Sequence, residues 1–199
     1  MLMNFYDAMK ERRSIYNISD SSPISDEKIK EIIEESVKHT PTAFNSQSGR
    51  VILLLNDKHK RFWDITEDAL RKVVPEGQFE PTEQKIESFR KGYGTILFFE
   101  DQDTVESLKE QFPLYKESFP IYSLESSGML QYNIWTGLAI NGLGASLQHY
   151  TELIEEDVKS EWNIDKSWKL LAQLPFGKKE EDAGEKEFLP LDKRVKILD

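Results

Sequence analysis

The sequence predicts a protein of the α+β class, or of the α/β class, built round one mixed β-sheet. Three observations predict it. Helical periodicity and short apolar strand runs alternate irregularly along the chain, which suits helices packed on a sheet more than a regular βαβ series. From Ile121 to Thr151 the only charged residue is Glu125, in a chain that is 31% charged, so a long central segment must be buried. A chain of 199 residues also suits one globular domain with a sizeable core.

The elements follow in order. A short helix is expected over Asn4 to Glu11, ending where Arg12, Arg13 and Ser14 begin an irregular passage. In the next helix Ser25 caps, Asp26 and Glu27 fill the first turn, and Ile29, Ile32, Ile33 and Val37 form one apolar stripe that Pro41 stops. Val51 to Leu55 reads as a buried strand, and the helix near Lys58 to Val73 carries Phe62, Ile65, Ala69 and Leu70 inward. Thr95 to Phe99 is the next strand, followed by a helix around Thr104 to Gln111 and an aromatic loop from Phe112 to Tyr122. Ser123 then caps a helix running to about Asn141, apolar or small on nearly every side, which calls for a subunit interface over one face. Trp168 to Leu174 is a third strand and Arg194 to Leu198 a short fourth, with an acidic surface loop near Lys178 to Glu187 between them.

Composition removes several kinds of chemistry. With no cysteine, the chain has no disulfides, thiolate catalysis, iron–sulfur clusters or cysteine zinc sites. The formal charge of −10 argues against a generic nucleic-acid binder. No apolar stretch is long enough for a membrane helix and residues 1–13 lack a signal-peptide core, so a soluble, cytoplasmic protein is expected. His39, His59 and His149 have no metal-ligand spacing, and no G-x-S-x-G elbow is present.

Three segments could carry chemistry. Arg12 and Arg13 beside Ser14 suit a phosphate, through bidentate guanidinium bonds and a short hydroxyl bond, although adjacent arginines also serve as ordinary solvated surface. The stretch Thr40 to Gly49, TPTAFNSQSG, has no charge, and an extended chain there would point Asn45 and Gln47 to one side. Their amides match the C=O and N–H edge of a pyrimidine or flavin ring, while a Pro-initiated turn satisfying its own backbone is the alternative. Gly142-Leu143-Gly144-Ala145-Ser146-Leu147 lets the backbone approach a planar ligand, or caps a helix. It is no Rossmann fingerprint, because it follows a helix and lacks the third glycine.

Taken together and in this order, Arg12-Arg13-Ser14, Pro41-Thr42-Ala43-Phe44-Asn45-Ser46-Gln47 and the apolar helix ending in Gly142 to Ser146 resemble the nitroreductase family of FMN-dependent oxidoreductases. TAFNSQSGR, TILFFED, GASLQHY and LPFGKK are similar to the compact branch named for the yeast fatty-acid-repression nitroreductase. The resemblance implies an α+β fold with a central mixed sheet flanked by helices, in an intertwined homodimer with two FMN sites between the subunits. It implies that Arg12, Arg13 and Ser14 hold phosphate and ribityl, and that Thr42, Ala43, Asn45 and Gln47 reach FMN partly from the partner subunit. Ala145, Ser146 and Leu147 would place backbone beside the flavin, with an N–H for N5. Lys186 matches the family's C-terminal lysine, although the arginine two residues on is Phe188 here, and Tyr16 stands where many relatives have a lysine. The implied activity is reduction of nitroaromatic, quinone or similar electrophiles by NADH or NADPH through the flavin. A non-catalytic flavin-binding regulatory protein on the same scaffold is the rival reading.

Overall fold

The computed structural model describes residues 3–198. Its helices are α1 (Phe5–Glu11), α2 (Asp26–His39), α3 (Asn56–Arg71), α4 (Glu80–Arg90), α5 (Gln102–Gln111), α6 (Phe119–Ala139) and α7 (Thr151–Trp162). Its strands are β1 (Ile18–Ser19), β2 (Gly49–Leu55), β3 (Gly94–Asp101), β4 (Leu143–Ala145) and β5 (Trp168–Lys179). Asn4 caps α1 by accepting from the Asp7 N–H at 3.1 Å, and Ser25 caps α2 by accepting from the Lys28 N–H at 3.3 Å.

The strands lie in the order β1-β5-β3-β2, with β4 also paired to β5. Every pairing of these strands is antiparallel, and parallel character enters through a single bridge between Ser14 and Ala145. Strand β3 is buried along its whole length and lies between two apolar layers. On one face α2 and α6 contribute Ile29, Ile33, Leu130, Ile134 and Leu138 against Ile96, Phe98, Leu174 and Phe176. On the other, Phe62 and Trp63 of α3, Phe89 of α4 and Ile154 and Val158 of α7 cover Leu97, Phe99 and Leu170. The alternation Ile96, Leu97, Phe98, Phe99 thus feeds both cores from one strand, as the period-two geometry of a strand dictates.

Several expectations need correction. Helix α6 begins at Phe119, not at Ser123, because Pro120 is tolerated in a first turn where its missing N–H costs nothing. Ser123 sits inside the helix and donates to the Pro120 carbonyl at 3.4 Å. Within one chain Ile121, Leu124 and Met129 of α6 are exposed, on the open face that the sequence reading assigns to a subunit interface. Arg194 to Leu198 is exposed throughout and forms no strand, having no buried face to hold it in a sheet. The expected loop from Lys178 starts later: Lys178 and Lys179 close β5 opposite Ser19 and Ile18.

Candidate cofactor site

The first group of candidate residues assembles where α1 ends. Arg12 is its C-cap, with its N–H still bonded to the Ala8 carbonyl at 3.1 Å and its backbone already extended. The chain therefore runs straight along β4: Ser14 bridges Ala145, and the Ile15 N–H donates to the Ala145 carbonyl at 2.9 Å. Gly144 permits this approach, because a Cβ there would stand 2.8 Å from the Ile15 side chain. The Arg12 guanidinium lies 4.3 Å from the centroid of the Trp135 ring, and its buried Nε has no hydrogen-bond partner among the described residues. Arg13 donates to the Gly184 carbonyl at 2.8 Å, which ties the irregular C-terminal stretch to the end of α1. Lys186 follows, its Nζ 5.4 Å from the centroid of the Phe188 ring. Arg12, Arg13 and Lys186 consequently line one cleft of about 450 Å³, together with Lys10, Tyr6 and Met9.

Beyond β4 the backbone keeps the alternation of a strand. The Ser146 N–H reaches the Pro175 carbonyl at 3.3 Å and the Gln148 N–H the Gln173 carbonyl at 2.7 Å. The Leu147 N–H between them faces away from β5 and has no acceptor among the described residues. Gly142 is the left-handed residue after α6, with φ 84°, so here the helix-cap reading of the first glycine is correct.

The second group, Thr42 to Gln47, lies elsewhere, and its two ends, Thr42 and Gln47, line a different groove. It is not extended. Ala43–Asn45 form a 3₁₀ turn, and Phe44, Asn45 and Gln47 have φ of 56°, 53° and 49°. The Thr42 hydroxyl accepts from the Gln47 N–H at 3.1 Å, closing the turn, and the Gln47 amide donates to the Asn45 carbonyl at 3.4 Å. Asn45 and Gln47 are both exposed, and Phe44 packs on Phe112 with ring centroids 4.7 Å apart. Turn chemistry thus overrides the extended geometry expected from alternation.

Around that groove stand residues that the motif reading leaves without a role. The groove, about 620 Å³, is lined by Ile33, Val37, Thr42, Gln47, Leu130 and Trp168 as well as Arg50 and Glu100. Glu100 is 1% exposed and neither carboxylate oxygen has a hydrogen bond. Burial pushes its pKa up; the nearby hydroxyls of Ser48 and Ser123 and the charge of Arg50 oppose that, although neither hydroxyl reaches bonding geometry. Asp101 takes the opposite course. Burial would raise it, but hydrogen bonds from Thr104 and Ser167, the Arg50 charge and the Asp103 N–H hold it below the usual carboxylate range. The available signal for these residues is position: Arg50 is the first charge after ten uncharged residues.

Comparison with known proteins agrees with this architecture. The nitroreductase family model matches residues 9–178. The nitroreductase FRM2 of Saccharomyces cerevisiae is 34% identical over 177 residues, covering 87% of each chain. The nitroreductase CinD of Lactococcus lactis, solved with nicotinic acid, is 44% identical with a TM-score of 0.93, over 98% of this chain and 100% of its own. Its complex with 4-nitrophenol aligns over the same shares at 43% identity and a TM-score of 0.89. A protein from Exiguobacterium sibiricum solved with FMN shares the fold at 16% identity and a TM-score of 0.73, covering 100% of this chain and 99% of its own. A family match over most of the chain, at the end of a sheet and helix arrangement that the residues themselves explain, places this protein in the nitroreductase family of oxidoreductases.

Proposed function

We propose that the protein is an FMN-dependent oxidoreductase that uses NADH or NADPH to reduce nitroaromatic, quinone or similar electrophilic acceptors. The observation that carries this reading is the convergence of Arg12, Arg13 and Lys186 on one cleft, with the buried Arg12 Nε lacking an acceptor. A phosphate monoester supplies acceptor oxygens to all three cations, and an orphaned buried donor is costly until it is paired. When bound, FMN supplies the redox chemistry, accepting a hydride from the nicotinamide and passing two electrons to the acceptor.

The chain's own part is to bind and orient. Arg12, Arg13 and Lys186 hold the phosphate and Ser14 the ribityl chain. Ala145 and Ser146 fix the backbone so that the unpaired Leu147 N–H can donate to the flavin ring. Thr42 and Gln47 line a separate groove in one chain, which supports a homodimer in which the loop carrying Thr42, Ala43, Asn45 and Gln47 reaches the cofactor held mainly by the partner. The nicotinic acid and 4-nitrophenol bound by CinD are a pyridine carboxylate and a nitroaromatic, shapes that support the proposed donor and acceptor classes. No helix among the described residues is long and apolar enough to cross a membrane, which with the charge of −10 suits a cytoplasmic enzyme.

The test is the absorbance spectrum of the purified protein, without oxygen, before and after NADH and NADPH. Flavin bands that bleach with a nicotinamide and return with a nitroaromatic are expected. A protein that neither carries nor takes up FMN overturns the proposal. Flavin that never turns over with any acceptor favours a purely binding role.

A further inference from the structure

We propose that Arg50 is a positioning residue for the cofactor loop, acting as a clamp, held by Asp101, on the backbone that leaves the left-handed turn of Phe44, Asn45 and Gln47. This rests on the reading that Asn45 and Gln47 meet FMN. Three consecutive carbonyls are gripped at this point. Arg50 Nη1 donates to the Gln47 carbonyl at 2.7 Å and to the Gly49 carbonyl at 3.1 Å, while the Asp101 N–H donates to the Ser48 carbonyl at 3.0 Å. Arg50 Nη2 donates to Asp101 Oδ2 at 2.7 Å, and that carboxylate also accepts from Thr104 at 2.8 Å and Ser167 at 2.9 Å.

The physical need for a clamp comes from the turn. Left-handed backbone is unfavourable for residues other than glycine, mildly for Asn and more for Phe and Gln, so three such residues within four positions persist only if the surroundings impose them. On the inner side the Thr42 hydroxyl accepts from the Gln47 N–H, and on the outer side the guanidinium binds the Gln47 carbonyl. Arg50 can do this because its planar fork spans two acceptors on Nη1 and a carboxylate on Nη2 at once. Its side chain is 29% exposed and that of Asp101 12%, so the pair is sheltered enough to hold one geometry. The guanidinium also lies 5.7 Å from the centroid of the Trp168 ring, a further restraint on its plane.

The experiment compares wild type, Arg50→Gln, Arg50→Lys and the double variant Asn45→Ala/Gln47→Ala as full-length proteins. FMN affinity of the apoprotein is measured by flavin fluorescence, amide hydrogen exchange over residues 42–49 without FMN, and the unfolding midpoint separately. Arg50→Gln should weaken FMN binding on the order of tenfold, the scale of losing a charge-assisted bond. It should speed exchange in the loop with little change in midpoint, and Arg50→Lys should fall between it and wild type. If Arg50→Gln binds FMN normally while the double variant loses affinity, Arg50 does not position the loop and the cofactor reading stands. If exchange quickens in Arg50→Gln but neither variant loses affinity, the clamp is real but the loop does not serve FMN, and the proposal falls with that reading. An affinity loss that follows a lowered midpoint, with no change confined to the loop, overturns the positioning role.

Discussion

His59 shows how a single buried residue links sequence to pH dependence. It is 1% exposed, and its Nε2 faces the Arg90 carbonyl at 3.1 Å while its Nδ1 lies 2.8 Å from the Thr95 hydroxyl. Because a carbonyl can only accept, Nε2 carries the proton; Thr95 then donates to Nδ1 and accepts from the Trp63 indole at 3.0 Å. Burial, helped by the charges of Lys60 and Arg90 and opposed by the Arg90 carbonyl, lowers its pKa from 6.5 to about 4. Between those values the unfolded chain binds a proton that the folded chain refuses, so stability present above pH 6.5 is lost as pH falls towards 4. The loss amounts to about 3 kcal/mol. Denaturant unfolding at steps from pH 7 to 4 should show this loss in wild type and not in His59→Asn; equal slopes would contradict it. Taking the difference between the proteins cancels Glu100, whose raised pKa contributes with the opposite sign. The sequence marks His59 only as a residue without metal spacing, because burial and a two-sided hydrogen-bond environment are properties of the packed core. Arg12, Arg13 and Ser14 stand out in the sequence as a proposed phosphate site because their chemistry is local. Arg50 does not, because its role depends on Asp101, fifty-one positions away.

At the scale of elements, what periodicity marks and what it misses follow from how much apolar surface each element buries. Helices α2 and α3 carry full stripes and strands β2, β3 and β5 long apolar runs, so all of them can be read from the sequence. Helix α4 buries only Ile86 and Phe89, and α7 among apolar residues only Ile154 and Val158, a stripe too sparse to stand out from the charged residues around it. Strands β1 and β4 have two and three residues, too few to alternate. They exist because β5 offers them an edge, and one glycine makes room for that edge. A Cβ on Gly177 would stand 2.1 Å from the Ser19 carbonyl oxygen, which is backbone and cannot swing aside. Gly177→Ala should therefore separate β1 from β5, lowering stability by more than about 3 kcal/mol, the range reserved for severe core lesions. A thermal midpoint close to wild type would show that the edge yields cheaply. The candidate loop fails in the other direction: alternation suggests an extended chain, yet Thr42 and Asn45 favour local side-chain and left-handed conformations that build a turn.

At the scale of the whole molecule, one chain exposes more surface than a compact monomer of its mass. Its accessible area is 12505 Å², against about 9,700 Å² for a compact monomer of 23.2 kDa. The excess includes Ile121, Leu124 and Met129 on α6, Ile140 just after it, and the apolar residues from Phe188 to Leu198, a distribution suited to a large obligate interface. Light scattering at low micromolar concentration should find only dimers, and a folded monomer would refute that. A mixed dimer tests how the two groups of site residues are shared. In one chain Arg12 lines one cleft while Thr42 and Gln47, on either side of Asn45, line another, which favours a site that draws Arg12 and Asn45 from two chains. A dimer formed from an Arg12→Ala chain and an Asn45→Ala chain then has one site carrying both lesions and one carrying neither. Each homodimer has two sites weakened by about 2 kcal/mol or less, the scale of a lost hydrogen bond to a charged or polar group. FMN titration of the tagged, purified mixed dimer should find one site of wild-type affinity per dimer and one weaker than in either homodimer. Two equally weakened sites would assign Arg12 and Asn45 to the same chain's cofactor. Wild-type affinity in the Asn45→Ala homodimer would leave its turn as a structural element, supported by Arg50 but remote from FMN.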